Sequence, residues 1–342
     1  MNQIVVISGF LGAGKTTLLL RLAKQLAESG KKVALITNDK GSVLVDTEYL
    51  KTSGLPVHSV SGGCFCTHLD LLEGVLDEIK TNLLPDIILA EPIGSCIDIL
   101  ATILLPIYEK YAEQFAVAPL TTVIDPARLM KYMQRRGSAA QTHLDYVFSK
   151  QMEQADVLFL NKCDQLCEDE IASLAQRLQA LYPDKRIITG SANSGAGCDA
   201  LLESVLGQRW QQWSVDIDKG IHRQAEKALG WYSVAYRAKY VSSAQKLLQE
   251  IGEQIVSRFP QRDIAHLKLL AISESKALKV SFTQNGGRAG VSGDADMPSD
   301  FLLILNARIE ASVAEISSVT FAAVEGAKRK HRASLTKTSA PS

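Results

Sequence analysis

Short apolar runs recur along the first two thirds of the chain, separated by stretches whose apolar residues return every three or four positions. Ile4-Val-Val-Ile7 is the first run, and Thr17 to Ser29 follows with Leu18, Leu22, Ala23 and Leu26 at helical spacing. Further runs lie at Lys32–Asn38, Leu55–Val60, Asp86–Ala90, Leu120–Asp125, Asp156–Leu160 and Lys185–Thr189. Unbroken apolar runs of this length fit strands covered on both faces. The amphipathic stretches between them, such as Leu69–Leu84, Ala127–Arg135 and Glu168–Tyr182, supply the crossover helices. The pattern predicts an α/β domain over residues 1–207, a mostly parallel sheet flanked by helices.

The pattern then changes. Residues 208–230 hold Trp210, Trp213 and several charges with no clear period, and are expected to be a linker. Trp231–Tyr240 alternates like a strand, Ser243–Arg258 has a helical period ended by Pro260, and strands are expected at His266–Ile272, Ala277–Thr283 and Phe301–Leu305. A helix over Val313–Ala327 completes a smaller α+β domain at 231–327, with a polar loop at Asn285–Pro298. Residues 328–342 are basic, then rich in Ser, Thr and Pro, and are expected to be a disordered tail.

Composition narrows the function classes. Among 342 residues, Lys plus Arg and Asp plus Glu are both 37, so no charge excess calls for nucleic acid or an anionic membrane. No apolar run reaches the length of a membrane span, and no signal peptide is recognisable. The 6 cysteines are too sparse for a disulfide framework, which points to a cytoplasmic protein.

Candidate chemistry concentrates where predicted strands end. After the first strand, Gly9, Gly12, Ala13, Gly14, Lys15, Thr16 and Thr17 lie in a G-x-x-x-x-G-K-[ST] loop. Its backbone N–H groups can cradle phosphates at a helix N-terminus, Lys15 can reach the β and γ phosphates, and the Thr16 hydroxyl can join a Mg²⁺ shell. Asn161-Lys-Cys-Asp164 follows the Val157–Leu160 run. The Asp164 carboxylate can accept from N1–H and the 2-amino group of guanine, Asn161 favours a carbonyl at position 6, and the Lys162 stem can pack on the base. Adenine would leave buried polar groups unpaired, at about 1–3 kcal/mol each. Ser191-Ala192, after the next strand, adds a backbone contact to the base.

Glu91 ends the Asp86–Ala90 run and can hold a Mg²⁺-bound water or the attacking water, while Gly94 allows backbone approach to the γ-phosphate. A helix cap is the structural alternative for Glu91. Asp39 ends the second strand as another Mg²⁺-side candidate, or as an ordinary strand-end turn. In Gly62-Gly-Cys64-Phe-Cys66-Thr-His68, two thiolates and an imidazole at i+2 spacing can chelate Zn²⁺ or Co²⁺ with one position open. The alternative is a pair of inert small core residues beside a capping Thr.

Together, Ser8–Thr17, Gly63-Cys-Phe-Cys66, Glu91-x-x-Gly94, Thr122-Val-Ile-Asp125 and the segment from Gln151 to Asp164 resemble the CobW-type GTPases, relatives of HypB and UreG. The resemblance covers residues 1 to about 206. It implies GTP hydrolysis, here with a slow intrinsic rate because no arginine finger or positioned glutamine is assignable, coupled to delivery of Zn²⁺ or Co²⁺. The implied partner is a client metalloprotein, with a cobalt- or corrinoid-dependent enzyme as one candidate and a nucleotide-dependent homodimer as another association. Two departures stand out. The family's Cys-x-Cys-Cys ends here in Thr67, and its Asn-Glu-Phe-Gly-Glu segment reads Asn38-Asp-Lys-Gly-Ser42. A regulatory GTPase assisting corrinoid loading, without carrying metal itself, is the alternative reading.

Overall fold

In chain order the elements are β1 (Asn2–Gly9), α1 (Lys15–Glu28), β2 (Val33–Asn38), α2 (Val45–Lys51), β3 (Val57–Val60), α3 (Leu69–Asn82), β4 (Ile87–Glu91), α4 (Leu105–Tyr111), β5 (Phe115–Val117) and β6 (Thr121–Ile124). They continue with α5 (Pro126–Arg135), α6 (His143–Gln154), β7 (Val157–Leu160), α7 (Glu168–Leu181), β8 (Arg186–Thr189), α8 (Cys198–Val205) and α9 (Lys219–Ala228). The last group is β9 (Gly230–Lys239), α10 (Ala244–Val256), β10 (Ile264–Ile272), β11 (Ala277–Phe282), β12 (Gly290–Gly293), β13 (Phe301–Ile309), α11 (Val313–His331) and β14 (Ser334–Thr338). This computed structural model describes residues 2–38, 45–60, 65, 69–211, 213–260, 264–274, 276–283 and 289–338.

The chain divides into two units: Met1–Lys40 with Gly54–Ala225, and Gly41–Ser53 with Glu226–Ser342. The first holds a sheet in the order β3-β2-β4-β1-β6-β7-β8, with β5 also paired to β1. Its strand pairs are all parallel. Apolar residues dominate both faces because helices cover both: Ile4 to Ile7, Ile87 to Ala90 and Val157 to Leu160 are all buried. The α1 stripe of Leu18, Leu19, Leu22, Ala23 and Leu26 is buried too. Register aligns the carboxyl ends: Gly9 lies opposite Val123, Thr37 opposite Glu91, Ile124 opposite Leu160, and Leu160 opposite Thr189. One edge of the sheet thus carries all the loops that follow these strands, the usual ligand position in such sheets.

The second unit is a six-stranded antiparallel sheet in the order β12-β11-β10-β13-β9-β14. Leu247, Leu248, Ile251 and Ile255 of α10, and Ile316, Ala323 and Val324 of α11, close a core over Leu267, Leu269, Val280, Leu303 and Leu305. Helix α2 belongs here as well. Its Asp46 pairs with Lys268 of β10, and Lys279 Nζ of β11 stands 4.2 Å from the Tyr49 ring centroid.

Several sequence expectations change. The stretch 208–230 carries α9, and Trp210 N–H donates to Val117 O at 2.8 Å, so it is not a featureless linker. Within Asn285–Pro298, Gly290–Gly293 pairs with β11. The tail is ordered through Thr338: α11 runs on to His331, and β14 adds to β9 with Leu335 buried. One buried residue inside a polar strand leaves little apolar pattern to read.

Candidate nucleotide site

Strand β1 ends at Gly9 and α1 begins at Lys15, which turns the intervening backbone over the carboxyl edge of the sheet. Gly14 is in the left-handed region at φ 100°, and a Cβ there would collide with Asn161 Nδ2. A side chain at Gly94 would press on Leu11 N and Lys15 Nζ, both 2.9 Å from its Cβ position. Both glycines therefore keep backbone and lysine close together.

Lys15 and Glu91 are buried, with Nζ and Oε1 3.7 Å apart. Lys15 Nζ also donates to Phe10 O at 3.4 Å. The Thr16 hydroxyl donates to Glu91 Oε1 at 3.1 Å, so loop and β4 are joined by one carboxylate. Glu91 thus faces both the Lys15 and Thr16 side chains of the loop. Gln151 of α6 braces the chain beyond it, donating from Nε2 to Gly94 O at 3.0 Å and to Cys96 O at 2.9 Å.

Asn161 follows β7 and is 2% exposed. Its Nδ2 donates to Ala13 O, and its Oδ1 accepts from Ala192 N, both at 2.8 Å. Both ends of this amide are thus engaged within the protein. These bonds brace the phosphate loop against the 191–192 turn, and the amide keeps a second N–H and a second lone pair beyond them. Lys162, at φ 59°, reaches back to donate to Gly12 O at 2.8 Å and pairs with Asp125. Asp164 is exposed. The buried Ser191 hydroxyl accepts from Asn193 N and Ser194 N at 3.2 Å, which fixes the turn that presents Ala192. Thr17, partly buried, continues α1.

Three contributors carried no sequence assignment of their own. Asp125 caps α5 through Ala127 N and Arg128 N besides holding Lys162. Arg21 binds Ala192 O and Asn193 O. Asn38 donates to Val60 O at 3.0 Å and accepts from Phe65 N at 2.9 Å. Phe65 is buried and stands between the two cysteines in sequence, so the end of β2 anchors the centre of the Cys-x-Cys segment. Asp39, Cys64, Cys66 and His68 lie outside the described residues. Among the described residues no cluster of three or more His, Cys, Asp or Glu is arranged to hold a metal.

A lysine and threonine on a glycine-shaped turn between a buried strand and a helix, tied to an acid from a neighbouring strand, define a P-loop nucleotide-binding protein. Residues 3–189 match the CobW/HypB/UreG nucleotide-binding domain, and the chain belongs to that family. It is similar to the zinc chaperone YeiR of Escherichia coli (strain K12), 29% identical over 195 residues, 55% of each chain. It is also similar to the zinc-regulated GTPase metalloprotein activator 1 of Dictyostelium discoideum, 25% identical over 279 residues, 71% of this chain and 58% of that one. The chain spans a little over half the length of these curated relatives. Among solved structures, Zn(II)-bound YjiA GTPase from E. coli aligns with 95% of this chain and 99% of its own, at 20% identity and a TM-score of 0.40. Among the described residues no helix is long and apolar enough to cross a membrane.

Proposed function

We propose that this protein is a GTP-binding and GTP-hydrolysing metallochaperone that delivers Zn²⁺ or Co²⁺ to a client protein. One observation carries the reading: Asn38 ends the strand beside Glu91's strand and holds Phe65, the residue between the two cysteines. A movement at the phosphate edge therefore has a short physical route to the thiolate segment. Zinc chaperone and metalloprotein-activator relatives support the same class.

In this reading Lys15 and the backbone of Gly9–Thr17 bind the phosphates, and Asp164 selects guanine while Lys162 packs beside it. Asn161, Ser191 and Ala192 shape the base pocket. The hydroxyl of Thr16 and the carboxylate of Glu91 are hard oxygen donors, a set that suits Mg²⁺, with Asp39 as a further candidate. When bound, Mg²⁺ supplies charge neutralisation for the β and γ phosphates. Glu91 also serves to orient water, and Gly94 leaves room for the γ-phosphate. Cys64, Cys66 and His68 take the transferred ion as cargo, with GTP and GDP as the two states of the switch. A client metalloprotein or corrinoid-dependent enzyme receives the ion, with the chain working in the cytoplasm and capable of a nucleotide-dependent homodimer.

The nucleotide half is tested by Asp164→Ala. Wild type should bind GTP at least about thirtyfold more tightly than ATP, given two lost hydrogen bonds with adenine, and the variant should show no preference. Equal GTP and ATP affinities in wild type would overturn the guanine assignment. The cargo half is tested by titrating Zn²⁺ and Co²⁺ into wild type and a Cys64→Ser/Cys66→Ser variant, where indistinguishable weak binding by both would remove the metal site. A client captured with GTP by that variant as well as by wild type would favour the metal-free regulatory alternative.

A further inference from the structure

A cavity lies within the first unit, and none of the phosphate- or base-site residues lines it. It encloses about 420 Å³ and is walled by Asp98, Glu109, Trp210 and Trp213, with Leu100 and Leu105 among its apolar lining. A volume of this size suits a small molecule.

The backbone around it departs from regular geometry. Asp98 stands in the left-handed region at φ 68°, and the next turn, Leu100–Leu104, is π-helical. Asp tolerates the left-handed region better than most side chains, and π turns recur at functional sites.

The chemistry of the walls is selective. Both charged lining residues are acidic. Burial pushes the Asp98 carboxyl above its usual range, against the pull of Lys219 and His222 nearby. Two indoles supply electron-rich faces, and the Trp213 ring already receives a cation, with Lys185 Nζ 3.8 Å from its centroid. Trp213 Nε1 donates to Asp156 at 3.1 Å. Trp210 differs: it is 4% exposed, and among the described residues its buried Nε1–H has no hydrogen-bond acceptor. A buried donor left in this state costs free energy that a ligand acceptor would recover.

We propose that this cavity binds a small organic amine that also carries a hydrogen-bond acceptor. Its ammonium group is held by Asp98 and Glu109, its apolar body packs on Leu100, Leu105 and the indoles, and its acceptor takes the Trp210 Nε1–H. The assignment does not depend on the nucleotide or metal reading.

Calorimetry on the full chain, with tryptophan fluorescence in parallel, tests it using 4-methoxyphenethylamine. The comparison ligands are phenethylamine, which lacks the acceptor, and the neutral alcohol and anionic carboxylate of the same shape. The methoxy amine should bind saturably at about 1 mM or tighter. Phenethylamine should bind severalfold more weakly, and the alcohol and carboxylate at least about tenfold more weakly. Asp98→Asn, acceptable at positive φ, and Glu109→Gln, on an exposed position, should each weaken the amine about tenfold without moving the thermal midpoint. Absence of saturable amine binding, equal binding of the alcohol, or undiminished binding by the combined Asp98→Asn/Glu109→Gln variant would overturn the proposal.

Discussion

Asn161 and Asp164 are three positions apart in one motif and stand in different surroundings. The Asn161 amide is bonded to Ala13 O and Ala192 N, whereas Asp164 stands exposed. Removing the amide leaves two buried backbone groups without their partners, at about 1–3 kcal/mol each. Asn161→Ala should therefore weaken guanine and adenine nucleotides alike, and lower thermal stability, while leaving the ratio of their affinities unchanged. Competition binding with both bases checks this, and a changed ratio would assign base reading to Asn161. The loop and the Asn-Lys-x-Asp motif were legible because spacing alone carries them. The bracing by Asn161, Gln151 and Arg21 was not, since their partners are backbone groups brought together only by the fold. Glu91 was legible as an acid ending a buried run, although its bond to Thr16 required the register of β4 beside β1.

Helix α2 and strand β14 are the elements that sequence periodicity described least well. Burial opposes charge on Asp46, yet Lys268 and then Lys279 outweigh it and hold the carboxyl well below its usual range. Burial likewise holds His266 well below the ordinary imidazole value. Both groups bind protons more readily in the unfolded chain than in the folded one. Stability of the second unit is therefore full above about pH 6.5 and falls as pH drops, first through His266 and then, below about pH 4, through Asp46. Urea unfolding at a series of pH values should show this decline, and His266→Gln should flatten its upper limb. Strand β14 adds five residues to the edge of β9 and buries Leu335. Ending the chain at Arg332 should destabilise the second unit by about 2 kcal/mol, read as a lower unfolding midpoint. The long central strands were legible because helices on both faces demand unbroken apolar runs. β5, with three residues, and β14, with one buried side chain, were too short or too polar to leave such a signature.

At the scale of the whole chain, the first unit is interrupted after β2 by a segment that groups with the second. Sequence periodicity placed residues 1–207 in one domain, because nothing in a seven-residue amphipathic helix states which sheet it will cover. The same β2 end that leads into this excursion also holds Phe65 through Asn38. The proposed coupling of nucleotide state to metal therefore converges on one strand terminus. Its most direct test is the Zn²⁺ and Co²⁺ affinity of the purified full chain loaded with GDP and, separately, with a non-hydrolysable GTP analogue. The expected result is stoichiometric metal whose affinity differs at least about tenfold between the two states, a coupling of about 1.4 kcal/mol, and is lost in Cys64→Ser/Cys66→Ser. Equal affinities in both nucleotide states, or no stoichiometric metal in either, would contradict it.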